Sequence, residues 1–325
     1  MKAVRVHQFG NPDILCIEDV PDPKPGAGEV LVRLHAAGVN PVDAYIRAGT
    51  YAIKPTLPYT PGMEAAGVIE SLGDGVVDLK IGQRVWVSLT TAGRLQGACA
   101  EKCVAHADHV HALPDALSFE QGAAINIAYV TAYRALFDKA KVQPGEIVLI
   151  HGATGGVGLA ATQIASTHGA IVLGTGGTAD GRALAEKFGA AKTFDHRAAG
   201  YLDQIKAATN GRGVDVIIEM LANVNLEKDL SVIARDGRVA IIGSRGRVEI
   251  DPRLFMTTEA TVTGLTYFGD GEATVLRALA AADAQVRAGA YVPHVGQTFA
   301  IADVAKSHEA VVSGEGTRGK IVLTM

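Results

Sequence analysis

The sequence predicts an α/β protein: a doubly wound parallel sheet joined to a second, mostly β, barrel-like domain. Three observations carry this. After Phe119, apolar strands alternate with stretches of helical apolar spacing, whereas before it short β-branched runs are divided by Gly and Pro clusters. In addition, the wholly apolar run Ile147-Val148-Leu149-Ile150 leads into Gly152-Ala153-Thr154-Gly155-Gly156-Val157-Gly158 and then an apolar helix. With 325 residues, 48% apolar and 20% charged, the chain has material for two packed domains and is not disordered in composition.

In chain order, Lys2–Val6, Asp13–Asp19, Glu29–Gly38 and Gly67–Leu72 read as strands, with Pro21-Asp22-Pro23-Lys24-Pro25-Gly26 as a separator. Lys80–Val87 is a tight turn into another strand. Glu120–Ala140 has helical spacing, ended by Val142-Gln143-Pro144-Gly145. There follow strand Glu146–His151, helix Gly156–His168, strand Ala170–Thr175, and helix Gly181–Phe188 with Gly189 beyond its last turn. Helix Tyr201–Ala208, strand Val214–Glu219, helix Asn225–Ala234 and strand Gly237–Ile242 continue the alternation. Strand Thr261–Leu265 and the alanine-rich helix Gly271–Ala288 come next, and the tail reads as helix Ile301–Ser313, then strand Gly319–Thr324. Repeated strand–helix–strand units call for a parallel sheet.

Composition narrows the function classes. Thirty Lys+Arg against 34 Asp+Glu leave a net charge of −4, which offers no broad basic field to nucleic acid or anionic membranes. Any anion site is therefore local. Met1 to Asn11 reads as a strand and not a signal peptide, since no apolar core follows its charges. No apolar stretch approaches the roughly 20 residues that span a bilayer. Cys16, Cys99 and Cys103 are too few and scattered for a disulfide framework, so the expected home is the reducing cytoplasm.

The glycine turn carries the chemistry. Glycines there permit a tight bend, close approach of a pyrophosphate to the backbone, and close strand–helix packing. The helix N-terminus supplies unpaired amides and a positive dipole end for the anion. The second strand then discriminates between dinucleotides. An NAD site needs a carboxylate near its end for the ribose 2′-hydroxyl, but Leu173-Gly174-Thr175-Gly176-Gly177-Thr178 has none until Asp180. Arg182, His196 and Arg197 are candidate partners for a 2′-phosphate, and NADPH is the expected cofactor.

Over nearly its whole length the chain resembles the zeta-crystallin-type quinone oxidoreductases of the medium-chain dehydrogenase/reductase superfamily. The resemblance rests on Gly38-Val39-Asn40-Pro41-Val42-Asp43, Tyr45–Tyr51, Leu57–Gly62, His151–Gly158, Phe194–Arg197, Glu219–Asn225 and Gly243–Gly246. It implies a GroES-like substrate domain built from both chain ends, 1–122 plus 290–325, around a central Rossmann domain, 123–289. It also implies zinc-free NADPH-dependent quinone reduction and a homo-oligomer, dimer or tetramer. Residue by residue, it places Tyr45 beside the nicotinamide and Gly152 with Thr154, Gly155, Gly156, Val157 and Gly158 on the pyrophosphate. Gly177 and His196 meet the adenosine phosphate end, and Asn225, Ile242, Gly243, Ser244, Arg245, Leu265, Thr266 and Tyr267 complete the groove. Members of this branch also serve as structural or RNA-contacting proteins, a role that the net charge does not favour.

Relatives often carry Gly-Gly-Tyr-Ala-Glu where this chain has Gly97-Ala98-Cys99-Ala100-Glu101 after a longer Thr90–Gln96 stretch, a departure that bears on substrate preference. Zinc enzymes of the superfamily place Cys and His ligands where this chain has Asn40 and Met63, so no metal is expected. His106, His109 and His111 lie close in sequence but would alternate between strand faces. Candidate catalytic residues are Asn40, Asp43, Tyr45, Tyr51 and Tyr59. The tyrosines suit a cleft for flat rings, with core or interface positions as the alternative for each. Asn40 would orient the carboxamide or the acceptor oxygen, and Asp43 would accept or relay a proton. The expected acceptor is a small soluble quinone; an activated alkene is the alternative.

Overall fold

The computed structural model describes residues 1–52, 54–89, 97–314 and 318–325; the Thr90–Gln96 stretch lies outside them. The chain opens with the antiparallel pair β1 (Lys2–Arg5) and β2 (Cys16–Asp19). Then come β3 (Glu29–Val39), α1 (Pro41–Arg47), β4 (Glu64–Leu72), β5 (Arg84–Ser88), β6 (Lys102–His106), β7 (Val110–Ala112), α2 (Phe119–Gly122) and α3 (Asn126–Tyr133). Strand–helix alternation follows in β8 (Ile147–Ile150), α4 (Gly156–Thr167), β9 (Ile171–Thr175), α5 (Ala179–Lys187) and β10 (Lys192–Phe194). It continues through α6 (Tyr201–Ala208), β11 (Val214–Glu219), α7 (Ala222–Val232), β12 (Ile233–Ile241), α8 (Arg253–Thr258) and β13 (Thr261–Gly264). The chain closes with α9 (Glu272–Arg287), β14 (Val295–Ala300), α10 (Val304–Ser313) and β15 (Lys320–Thr324).

Two units result, Met1–Ile127 with Glu272–Met325, and Ala128–Gly271. In the first, β3 is the hub of a sheet ordered β14-β15-β3-β4-β5-β7, and it also pairs with β6. β15 runs antiparallel to β3, so the chain's last strand joins a sheet whose hub comes from its N-terminal part. Val30, Val32, Leu34, Ile69, Val85, Val87 and Ile321 fill its core. Helix α9 belongs to this unit, where the sequence had grouped it with the central domain: Nε2 of His109 lies 3.3 Å from Glu272, and Nδ1 of His111 lies 3.9 Å from Asp283.

In the second unit, six strands run parallel in the order β10-β9-β8-β11-β12-β13. Order reverses between β8 and β11, and the crevice beyond the carboxyl ends of strands at such a switch is where α/β sheets bind ligands. No helix among the described residues is long and apolar enough to cross a membrane.

Two differences from expectation bear on the site. Glu120–Ala140 is not one helix. The capping box of Ser118 and Gln121 starts the four-residue α2, α3 follows, and a π-helical turn, Arg134–Lys139, ends the stretch. Helix α7 ends at Val232, because Ile233 and Ala234 are already in β12.

Candidate nucleotide site and substrate-unit cluster

The turn after β8 is shaped by backbone contacts. Ala153 N–H donates to Thr175 O at 2.9 Å and Gly155 N–H to Gly152 O at 3.1 Å, while Gly152 takes φ +58°, a left-handed value that favours glycine. Gly155 is the N-cap of α4, whose first-turn amides at Gly156, Val157 and Gly158 have no intrahelical carbonyl to bind. A Cβ on Gly158 would lie 2.1 Å from Gly152 O and 2.7 Å from Ala153 Cα, so helix and turn touch backbone to backbone. Thr154, Gly155, Gly156 and Val157 remain partly open to solvent. This is a cradle of the size and polarity of a pyrophosphate.

At the end of β9, a Cβ on Gly177 would lie 2.9 Å from Arg197 Nε, so that guanidinium covers the glycine. Arg182 donates to Gly176 O at 3.0 Å and pairs with Asp195 at 3.1 Å. Asp195, on the neighbouring strand's end, is thus the acid nearest this strand end, but it is already engaged; the Arg197 amide and the Arg182 guanidinium hold its pKa below the usual carboxylate range. Partial burial, then the charge of Arg197, holds His196 below its ordinary value. Arg182 is largely committed and Arg197 is the exposed cation, a distinction that residue type alone did not give.

At the ends of β12 and β13, Ile242, Gly243, Ser244, Leu265 and Thr266 line a cavity of about 440 Å3 with Arg134, Lys139 and Asp270 at its charged side. Arg245 and Tyr267 are not among its lining residues. The loop after β13 is pinned by the fully buried Arg134, which donates to Thr266 O and Tyr267 O at 2.6 Å each and pairs with Asp270 at 2.5 Å. Sequence reading missed Arg134, since it reads as one more cation in a helix. It also missed a group formed by His151, Glu219 and Asp229, with Asn225 donating to Glu219 at 3.2 Å.

In the other unit, α1 carries three of the five expected catalytic residues, Asn40 as its cap, Asp43 and Tyr45, while Tyr51 and Tyr59 lie beyond its end. Its N-cap Asn40 donates its backbone N–H to Asp43 Oδ2 at 2.9 Å. The Asn40 side chain is engaged at both ends: Nδ2 donates to Glu64 Oε1 at 2.9 Å, and Oδ1 accepts from the Lys320 ammonium. Lys320 also pairs with Glu64, whose second oxygen accepts from Ile127 N–H at 2.8 Å. Burial pushes the Asp43 carboxyl up to about 7, against the opposing pull of the Asn40 amide and Lys320. Tyr45 and Tyr51 are half-buried, while Tyr59 is buried with its hydroxyl lacking a hydrogen-bond partner. Cys99 is also buried, its thiol pushed up by desolvation. His106, His109 and His111 face separate partners, namely Asp108, Glu272 and the Trp86 ring.

Because the folded chain holds the Asp43 proton more tightly than the unfolded chain, this group's contribution to stability is full below about pH 3.8 and is lost as pH rises through about 7. The isosteric D43N variant is expected to flatten that part of the melting-temperature profile between pH 5 and 8. Parallel profiles for variant and wild type would contradict the assignment.

Residues 26–115 match the alcohol dehydrogenase GroES-like domain, and residues 156–282 match the zinc-binding dehydrogenase family. The chain is 47% identical over 327 residues to the quinone oxidoreductase of Homo sapiens, covering all of this chain and 98% of that protein. The chain belongs to the zeta-crystallin-type quinone oxidoreductases. Within this family's superfamily, the solved Escherichia coli quinone oxidoreductase complexed with NADPH matches with a TM-score of 0.86 and 29% identity, both chains being covered in full. An NAD-dependent alcohol dehydrogenase matches with a TM-score of 0.91, again at 29% identity and full coverage of both chains. Since one fold serves both coenzymes, the choice rests on side chains at the end of β9.

For this quinone oxidoreductase family member, the residues at the zinc position do not fit a catalytic zinc ion. Asn40 is a poor ligand and Met63 a thioether, and the Lys320 ammonium already lies between Asn40 and Glu64. A divalent cation there would meet like charge in a dry environment.

Proposed function

We propose that this chain transfers reducing equivalents from NADPH to a small quinone without zinc. The observation that carries the cofactor is the pairing of the backbone-tight Gly152–Gly158 cradle with an Arg197-covered Gly177 at the next strand's end. The acceptor class rests on full-length identity to quinone oxidoreductase. In this reading the α4 amides hold the pyrophosphate, Arg197 with Arg182 and His196 faces the 2′-phosphate, and Asn225, Ile242–Arg245 and Leu265–Tyr267 form the remaining groove. Bound NADPH supplies the hydride equivalent, and the protein needs little acid–base machinery beyond orientation and water exclusion. The half-buried Tyr45 and Tyr51 serve the flat acceptor and nicotinamide rings, whereas Tyr59, 3% exposed, takes the core position that was its alternative; Asn40 is set by Lys320 and Glu64, and Asp43 holds the one carboxyl of α1 that carries a proton near neutrality.

Steady-state assays with NADPH test the proposal: turnover of 1,4-benzoquinone well above that of a 2-alkenal or enone is expected, and the reverse order overturns it. Arg197→Ala is expected to raise KM for NADPH by roughly tenfold to a hundredfold, the worth of a charge-assisted phosphate contact, while sparing NADH. Equal losses with both coenzymes would remove Arg197 from the phosphate site. A cytoplasmic home is supported by the unpaired state of Cys16, Cys99 and Cys103. A homo-oligomer belongs to the same proposal, supported by the family resemblance, and light scattering of the purified chain decides it.

A further inference from the structure

Beneath the dinucleotide turn lies a buried polar cluster that neither phosphate binding nor acceptor chemistry uses. His151 follows β8, Glu219 ends β11 and Asp229 comes from α7, and the three are 3%, 0% and 0% exposed. His151 Nε2 is 2.8 Å from Asp229 Oδ1 and 3.7 Å from Glu219 Oε2. His151 Nδ1 is 3.1 Å from Thr175 Oγ1, and that same hydroxyl oxygen accepts from the Gly152 N–H at 3.3 Å. Glu219 Oε1 accepts from Leu221 N–H and, at 3.2 Å, from Asn225 Nδ2. Two oxygens are then left without a hydrogen-bond partner among the described residues, Glu219 Oε2 and Asp229 Oδ2.

One imidazolium against two carboxylates leaves a surplus buried negative charge, which interiors disfavour. Two orphan oxygens on adjacent carboxyl groups pose the same problem in another form. A single proton shared by those oxygens answers both, as in other paired carboxyls. The three donor atoms also lie within 4.8 Å of one another, a spacing open to a metal ion. However, the His151 nitrogen and Asp229 Oδ1 already satisfy each other, so only two oxygens remain for a cation.

We infer that His151, Glu219 and Asp229 form a proton-sharing triad that holds the Gly152 end of the dinucleotide turn in its binding geometry, so that NADPH affinity falls when the shared proton leaves. The chain of contact is short: triad, Thr175 hydroxyl, Gly152 amide. This rests on the NADPH reading above and adds positioning residues to it. The charged and titratable groups facing the cluster are Lys228 on α7, Tyr201 on α6 and His196 after β10. Burial pushes the Glu219 carboxyl up to about 7. Burial opposes the His151 charge, but the Asp229 hydrogen bond and the two carboxylates raise its pKa overall. Both groups therefore hold protons more tightly in the folded chain, and both contributions are lost as pH rises through about 7 and above.

The test uses the full chain with E219Q and D229N, near-isosteric variants in which an amide N–H takes the place of the shared proton. Infrared spectra of the nucleotide-free protein, recorded in the D43N background so that the buried Asp43 carboxyl does not contribute, are expected to show a dry, protonated carboxyl band that disappears through about pH 7 and is missing once E219Q is added. NADPH titrated by calorimetry is expected to bind the wild type roughly tenfold more weakly at about pH 8.5 than at about pH 6, the effect of binding that raises the shared proton's pKa by about one unit. E219Q is expected to keep its affinity across that range, which also cancels titration of the NADPH phosphate itself. Identical pH profiles for wild type and both variants, no protonated carboxyl band, or an equimolar metal ion in the purified protein would each overturn the triad. Absence of NADPH binding at every pH would sink the nucleotide reading instead, with the infrared band still deciding whether the proton is shared.

Discussion

Gly158→Ala is expected to weaken NADPH binding on the order of a hundredfold while leaving a folded chain. The added Cβ would sit 2.1 Å from Gly152 O and 2.7 Å from Ala153 Cα, and neither atom is a side chain that can rotate away. Relief requires α4 to move back from the turn or the turn to open. Overpacking of this kind costs about 1–3 kcal/mol of stability, which a domain of this size survives. The cost to binding is comparable in energy but falls wholly on the anion site. Amides aimed at the pyrophosphate move by around an ångström, and misplacement on that scale costs on the order of a hundredfold. Calorimetric titration with NADPH, beside a melting curve, separates the two effects. Affinity within a factor of a few of wild type would show that the helix N-terminus is not what grips the anion.

The second large effect concerns Lys320. It is 5% exposed, Glu64 is 0% exposed, and the two pair directly while Lys320 also donates to Asn40 Oδ1 and, at 3.4 Å, to Val39 O. Lys320→Met keeps most of the volume and removes the charge, which leaves the Glu64 carboxylate uncompensated in a dry site. Removing one partner of a buried pair typically costs about 3–5 kcal/mol. The K320M/E64Q double variant removes the stranded charge, keeps an acceptor for the Ile127 N–H and, with the Asn40 amide turned over, a donor for its Oδ1, so it is expected to recover much of the loss. Denaturant titrations of the two single variants and the double variant give the coupling. Additive losses would show that the pair does not act as a unit, and an unperturbed K320M would show that Glu64 is already neutral.

What could be read from sequence was what is local in sequence. The strand Ile147–Ile150 is apolar at every position, the first glycine follows one residue later, and α4 is mostly apolar along its buried side, so the cradle announces itself within twenty-odd residues. Helix α1 was not legible as a helix: seven residues beginning with Pro41 carry barely two turns of periodicity. Strand β10 has three residues, only one of them buried, and β14 alternates only between half-buried and exposed residues, with none fully buried. The break of Glu120–Ala140 into three pieces came from tertiary demand, since the fully buried Arg134 turns toward the carbonyls of Thr266 and Tyr267, more than a hundred residues on.

The same limit separates the residues found from those missed. Asn40, Asp43 and the tyrosines share a short segment and a recognisable pattern. Their setting does not: Lys320 reaches Asn40 across 280 residues, and His151 reaches Asp229 across 78. A lone His or Lys carries no sign of a partner that far away. Arg182 and Arg197 illustrate the point within one site, because both are suitable phosphate ligands by type, yet Asp195 engages one of them and leaves the other on the surface.

The central claim is that exposed amides at the start of α4 hold a pyrophosphate and that Arg197, over Gly177, adds a grip on a 2′-phosphate. Calorimetric titration of the purified chain with NADPH and with NADH measures it most directly. Saturable one-to-one binding is predicted for NADPH, with NADH weaker by about tenfold or more, the worth of one charge-assisted phosphate contact. Equal affinities for the two coenzymes, or no saturable binding of either, would contradict it.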